Sequence, residues 1–352
     1  DLSLYSLGSI GLINSQGTLN SHGSAMVTWN IPSNVPPNTP LYASFITLDP
    51  ALPFPQAILS ISPAYNITPN SFEALTIEST SLPIAKTGLS CAENTATNTL
   101  FCFGGKNGNT YFDTIMEYNP NTQNLTTRSA TLPSGRAYTA CAENPTTHYI
   151  YCFGGENANG ALNEIIEYNS SNETVTVLST TLPSVNTKLS CKTYYPTSNI
   201  YCFGASTNGS RVLEFNPSTS NLVLKNTTYT PDTTCTSSPT NANQIYCFNS
   251  FASIYDPTTD TKTNLRFLSF NNQSCTNHSN GKSYCFGGQP TGNTINEFNP
   301  TAITFTTKYS PLPSPRTYAA CVTLSTNSNI YCIGGQSNQN NPINEIVKYT
   351  TI

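Results

Sequence analysis

Twelve cysteines dominate the chemistry available to this 352-residue chain, which has only three histidines, His22, His148 and His278. The cysteines fall into six local pairs with none left over: Cys91/Cys102, Cys141/Cys152, Cys191/Cys202, Cys235/Cys247, Cys275/Cys285 and Cys321/Cys332. Zinc centres use cysteines two to four residues apart, usually with histidine, whereas these gaps are about ten residues. The pattern predicts six structural disulfides and no metal or other cofactor. Disulfides persist in oxidising surroundings, so the expected location is secreted or extracellular, free or associated with a cell surface. The chain begins at Asp1, which reads as a mature N-terminus after removal of an export signal.

Composition agrees with that setting. Only 9% of residues are charged, against about 25% in an average soluble protein, and Asn, Thr, Ser, Pro and Tyr take their place. A net charge of −4 offers nothing to attract nucleic acid or an anionic membrane. No apolar run is long enough for a transmembrane segment.

The elements that hold the cysteines repeat. The first cysteine of each pair recurs roughly every 40–50 residues, the period of propeller-type repeats. Residues 136–183 show one unit: RAYTAC, a polar loop, YIYCFGG, a Gly/Asn loop, EIIEYN, a turn, then ETVTVLSTTLP. Each piece is a short β-rich run bounded by turn residues, so the unit is four strands, A to D. Strands A and B form a hairpin that places the paired cysteines opposite each other, within disulfide reach. Gly-Gly doublets end strand B at Gly104–Gly105, Gly154–Gly155, Gly287–Gly288 and Gly334–Gly335, and an aromatic follows late in strand C at Tyr118, Tyr168, Phe298 and Tyr349.

On these residues the chain resembles the kelch-repeat β-propeller family over residues 72–352. The resemblance implies an all-β fold, a six-bladed kelch-type propeller with one disulfide per blade. Blades 3 and 4 depart from the doublet with Gly204–Ala205 and Phe248–Asn249, and the kelch tryptophan is missing; Trp29, the single tryptophan, lies outside the repeats. The disulfides are expected to take over part of its bracing role, each stiffening its own blade. Blade 6 runs out of sequence after its strand C. Residues 72–83, FEALTIESTSLP, match the strand D pattern and are expected to complete that last blade, closing the ring from its N-terminal side. Residues 1–71 contain no Cys, Lys or Arg and carry β-rich runs at Leu4–Ile13, Ala25–Ile31, Leu41–Leu48 and Ala57–Ile61. They read either as a small β-module or as an arm that pairs with other copies of the chain or with surface proteins.

Candidate sites are of three kinds. Eight Asn-x-Ser/Thr triplets, at Asn66, Asn124, Asn169, Asn172, Asn208, Asn226, Asn272 and Asn277, are potential N-glycan attachment points. Lys86, Arg136 and Arg316 each stand five residues before a first cysteine, in blades 1, 2 and 6, which are contiguous in the ring. They read as a basic rim for a carboxylate or acidic glycan, or as ties between neighbouring blades. Tyr194–Tyr195 lies on the opposite face and reads as a sugar-stacking platform or as hairpin packing. Enzymatic readings find little support. Copper chemistry of the galactose oxidase kind needs a Tyr–Cys crosslink and two histidines, but every cysteine here is paired and His148 and His278 belong to opposite blades. The sialidase boxes and arginine triad are absent. Glu93 and Glu143 occupy equivalent CAEN motifs, which marks a repeated structural part, since an acid–base pair needs unlike environments. The expected function is a non-enzymatic extracellular glycoprotein acting as a structural or assembly subunit of a surface layer, appendage or filament. The alternatives are a carbohydrate- or protein-binding module that takes an acidic or neutral glycan on one face, and, less favoured, a glycan-processing enzyme.

Overall fold

The computed structural model describes residues 73–204, 210–237, 243–249, 251–267, 272–308 and 311–351, together with six short strands before residue 73. The chain divides into two compact units, residues 1–72 and 73–351. In the first, Gln16–Gly17, Leu2–Ser3, Ile46–Leu48 and Ile58–Ile61 form one antiparallel sheet, and Leu41–Ala43 pairs with Tyr65–Ile67 in another. The run expected over Leu41–Leu48 is therefore divided between two sheets, and those at Leu4–Ile13 and Ala25–Ile31 lie outside the described residues. No α-helix occurs among the described residues, and none of them forms a helix long and apolar enough to cross a membrane.

Residues 73–351 form a six-bladed β-propeller. Strands A, B, C and D are Ser90–Asn94, Thr99–Phe103, Thr114–Asn119 and Asn124–Thr131 in blade 1, and Ala140–Glu143, Ile150–Phe153, Gly160–Asn169 and Thr174–Asn186 in blade 2. Blade 3 has Ser190–Tyr194, Asn199–Phe203, Arg211–Asn216 and Asn221–Thr228; blade 4 has Thr234–Ser237, Ile245–Phe248, Phe251–Asp256 and Thr261–Phe267. Blade 5 has Ser274–Asn277, Ser283–Phe286, Ile295–Asn299 and Thr304–Thr307. In blade 6, Ala320–Thr323, Ile330–Ile333 and Ile343–Thr350 are completed by Ala74–Lys86 as strand D. Strand B is apolar on both faces and wholly buried in blades 1, 2, 4 and 6, as a strand between two packed blades must be. Strand D alternates half-buried and exposed positions, which suits the outer edge. Strand C ends in Asn or Asp for a local reason: Asn119, Asn169, Asn216, Asp256 and Asn299 each accept the amide N–H two residues on, forming the turn into strand D.

Each seam between blades is built the same way. The late strand C aromatic of one blade packs edge-on or tilted against the strand B aromatics of the preceding blade. Tyr168 meets Phe101 and Phe103, Phe215 meets Tyr151 and Phe153, Tyr255 meets Tyr201 and Phe203, and Phe298 meets Tyr246 and Phe248. Tyr349 meets Tyr284 and Phe286, and Tyr118 meets Tyr331 across the closing seam.

All six disulfides form, and each joins directly opposed residues of strands A and B. Going round the ring they are Cys91–Cys102, Cys141–Cys152, Cys191–Cys202, Cys235–Cys247, Cys275–Cys285 and Cys321–Cys332. Their placement, one per blade between strands A and B, is as expected, and each also packs against the preceding blade. Cys141 and Cys152 pack with Phe101 and Phe103 of blade 1, and Cys191 and Cys202 with Tyr151 and Phe153 of blade 2. Cys235 and Cys247 join Tyr201 and Phe203, Cys275 and Cys285 join Tyr246 and Phe248, and Cys321 and Cys332 join Tyr284 and Phe286. Every cystine therefore braces its own hairpin and is also part of the seam with the preceding blade. The expectation for ring closure is corrected in one respect. Closure does not rest on residues 72–83 alone, because Tyr118, Cys91, Cys102, Tyr331 and Ile333 also pack the seam between blades 6 and 1. The closing strand pairs from Ala74↔Thr350 to Lys86↔Ile343, three residues beyond the expected end.

A second contact ties the outer rim. One residue in each of the first five turns between strands C and D adopts a left-handed conformation: Gln123, Glu173, Ser220, Asp260 and Ile303. The first four hold the preceding blade's strand D. Gln123 accepts from Ser79, Glu173 from Ser129 and Arg128, the Ser220 carbonyl from Thr180, and Asp260 from the Asn226 amide. Ile303 has φ +53, is exposed, and offers no side-chain acceptor to strand D of blade 4. A β-branched residue in this conformation costs roughly 1–2 kcal/mol. Ile303→Asn should therefore raise stability by about 1 kcal/mol, read as a higher urea midpoint with unchanged slope.

Candidate functional site

The three basic residues expected at a ligand rim face inward. Arg136 and Arg316 are essentially inaccessible, and Lys86 is 2% exposed. Arg136 Nη2 donates to Glu164 Oε2 at 2.7 Å and to Ser134 Oγ at 3.0 Å. Arg316 Nη2 reaches Glu345 Oε2 and Ser314 Oγ, both at 2.6 Å. Lys86 Nζ donates to Thr114 Oγ1 at 2.6 Å and lies 4.5 Å from the centre of the Phe112 ring. Glu164, Glu345 and Thr114 belong to the following blade, while the backbone carbonyls point to the preceding one. Gly105, Gly288 and Gly335 donate their N–H to the carbonyls of Arg136, Arg316 and Lys86 at 2.9–3.0 Å, and Gly155 does the same to Asn186 at 2.8 Å. The approach explains the Gly-Gly doublets. A Cβ at Gly104 would lie 2.2 Å from the Arg136 oxygen, and one at Gly287 would lie 2.1 Å from that of Arg316. Lys86, Arg136 and Arg316 are thus arranged as inter-blade ties and present no basic rim to solvent.

The cysteines divide by strand. Cys91, Cys141, Cys191, Cys275 and Cys321, on strands A, line the axial channel. Their strand B partners Cys102, Cys152, Cys202, Cys285 and Cys332, together with Cys247 of blade 4, are no more than 1% exposed and line neither channel cavity. These six act only through packing and crosslinking, and no cysteine is free.

The loops entering strand A surround one end of the axial channel, here called the upper mouth. Residues three before each first cysteine, Gly88, Tyr138, Lys188, Asp232, Asn272 and Tyr318, all have φ between 53° and 65°. Backbone bonds link four of them in sequence around the axis: Gly88 N–H to Tyr318 O, Tyr138 N–H to Gly88 O, and Lys188 N–H to Tyr138 O. The Tyr138 and Tyr318 rings meet edge-on at 5.3 Å. Lys188 Nζ stands 5.5 and 4.8 Å from their centroids, bonds the Tyr318 hydroxyl at 3.2 Å and lies 3.6 Å from Asp232. A Cβ on Gly88 would come within 2.8 Å of Tyr138, so the glycine makes room for that ring. This aromatic–cation cluster forms part of the lining of a chamber of about 160 Å³ at the upper mouth. Sequence reasoning passes over this ring because its six positions share no one residue type. The shared property is a backbone angle, whose trace is the presence of Gly, Asp and Asn at three of the six positions.

The lower mouth opens on a cavity of about 350 Å³, lined by Glu93, Glu143, Lys192, Tyr195, His278 and by Ser and Thr hydroxyls. Tyr195 is 54% exposed in the turn that follows strand A, while its neighbour Tyr194, the last residue of that strand, is buried against Tyr201. Glu93 and Glu143 do equivalent work. Glu143 Oε1 accepts the Thr95 amide at 2.7 Å and its hydroxyl at 3.0 Å, and Glu93 Oε1 accepts the Ser325 amide and hydroxyl at 2.7 Å. Each clasps the preceding blade with one oxygen, and the second oxygen has no partner among the described residues. Burial pushes both carboxyl pKa values up, against these hydrogen bonds. The Tyr195 hydroxyl is also pushed up, first by burial and then by the charges of Glu93 and Glu143. His148 Nδ1 lies 3.2 Å from Glu143, whereas the buried His278 bonds Thr351 and has its pKa lowered by burial. No group of three metal-binding side chains occurs among the described residues.

The sequons separate by accessibility. Asn124, Asn172 and Asn226 are exposed on turns or strand D, and Asn169 is half-buried. Asn272 lines the upper chamber and Asn277 the lower cavity. The side chain of Asn66 and all of Asn208 lie outside the described residues.

The buried Lys86 has a measurable signature. Burial lowers its pKa to about 8, opposed by Asp113, while the unfolded chain keeps the ordinary 10.5. Between these values the unfolded state binds more protons, so this residue's contribution to stability increases as pH rises from about 8 to 10.5. Compared with Lys86→Met by urea unfolding, the wild type should gain stability across that window, and the gain should be absent below it.

No protein-family model and no curated protein matches the chain.

Proposed function

We propose that the propeller is a secreted, non-enzymatic binding module of kelch type that takes a neutral, hydroxyl-rich ligand, such as a glycan, at its lower mouth. The observation that carries this reading is the exposed Tyr195 ring beside Glu93 and Glu143 at the edge of the 350 Å³ cavity. An aromatic face with nearby oxygen acceptors suits a sugar, whose carbon–hydrogen face is apolar and whose rim is made of hydroxyl donors. Two carboxylates favour a neutral ligand over an acidic one, and the inward engagement of Lys86, Arg136 and Arg316 removes the case for an acidic ligand at the opposite rim. Their like environments also speak against glycoside hydrolysis, which needs one carboxyl raised and held as acid while the other stays ionised. Six disulfides support an extracellular setting. The assembly reading draws on residues 1–71, of which only short strands are described.

Two measurements test this. On an array of neutral and acidic glycans, wild type should retain neutral structures and Tyr195→Ala should weaken them about tenfold or more, a loss of about 1.4 kcal/mol. Binding that survives the substitution, or an array without binders, would reject the site. Glycopeptide mass spectrometry of protein secreted from a glycosylating host should find glycans at Asn124, Asn172 and Asn226, with Asn272 and Asn277 bare.

A further inference from the structure

Lys192 lines both the upper chamber and the lower cavity, which places its side chain part-way along the channel. It sits one residue after its cysteine, where the other blades carry Ala92, Ala142, Thr236, Thr276 and Val322. No ion pair or hydrogen bond engages its ammonium among the described residues. The residues of the propeller that are not described include no Asp or Glu. Burial alone lowers its pKa, to about 8, with no carboxylate acting to raise it. By contrast, the neighbouring channel cation, Lys188, has Asp232 and the Tyr318 hydroxyl.

The chamber wall supplies matching donors. One residue before the first cysteine, the ring reads Ser90, Ala140, Ser190, Thr234, Ser274 and Ala320, with serine in alternate blades. Ser90, Ser190 and Ser274 each accept the N–H of the cysteine in the next blade, Cys141, Cys235 and Cys321, at 2.9–3.0 Å. A hydroxyl that accepts in this way still has its own hydrogen to donate. None of the three donates to a described residue, and all three line the same chamber as Lys192. The Asp232 carboxylate in that lining is balanced by Lys188.

We propose that the upper chamber is a binding site for one small inorganic anion of halide size, held by the Lys192 ammonium and the hydroxyls of Ser90, Ser190 and Ser274. An ammonium without a carboxylate partner among the described residues leaves a charge that an anion can balance while accepting the three free O–H groups. The chamber, at about 160 Å³, suits a halide with a few waters, since one water occupies about 30 Å³.

Bromide is the probe. Crystals of the wild type soaked in bromide should show an anomalous peak in contact with Lys192 Nζ; a peak only elsewhere, or none, overturns the site. In solution, the thermal midpoint should be higher in chloride than in gluconate at equal ionic strength, by about 2–4 °C. Lys192→Met should abolish that difference. A wild type indifferent to the anion, or a Lys192→Met variant that keeps the full chloride effect, refutes the proposal.

Discussion

The propeller depends on one contact made six times: an aromatic ring from strand C set against the strand B aromatics of the blade before it. Burying such a ring is among the largest single contributions a side chain can make, about 3–5 kcal/mol by truncation. A disulfide closing so short a loop contributes up to roughly 3 kcal/mol on chain-entropy grounds. The two are not separate devices. Each cystine lies in a seam where rings of two blades meet, so the crosslink fixes one wall of the socket that the rings fill.

With the seams fixed, the strands A are held side by side around the axis, and the channel inherits its character from what they carry. Its two ends differ. The upper end gathers Tyr138, Tyr318 and Lys188 into a cluster over Gly88, and the lower end exposes Tyr195 and two half-engaged carboxylates. This polarity comes from residue choices at positions that share backbone geometry. The repeat builds the frame, and departures from the repeat give it two distinguishable faces.

Much of the frame is legible in the sequence because it is written in periodic features. Cysteine spacing marks the hairpins and the partners Cys152, Cys202, Cys247, Cys285 and Cys332, turn residues mark the strand limits, and the unmatched strand D marks the closure. Spacing does not tell which neighbour a crosslink packs against, since that depends on how the blades lean together. The D-strand pattern stops at Pro83, three residues short of the observed end. Proline lacks the N–H for a ladder bond, yet the pairing resumes after a register shift and ends at Lys86↔Ile343; blade 2 does the same around Pro183. The site is less legible. Position five before the cysteine tells where Lys86, Arg136 and Arg316 stand, but their partners Thr114, Glu164 and Glu345 belong to another strand and show no common residue type. Spacing cannot say whether a long cationic side chain turns outward or inward to strand C of the following blade. The end of strand A separates buried Tyr194 from exposed Tyr195 in the turn, whereas the left-handed ring at the upper mouth is a conformational repeat with almost no compositional one.

Closure by Ala74–Lys86 also fixes an order of events during synthesis. This strand leaves the ribosome ahead of every blade, yet its partner, Ile343–Thr350, is made after all the other strands. Each disulfide joins residues of a single hairpin, so crosslinking can proceed blade by blade as the chain emerges. Until the final strand arrives, the growing arc has an unpaired strand at its leading end. The propeller can thus be covalently stapled before it is topologically complete, and its last fold-defining step is a meeting of its two ends.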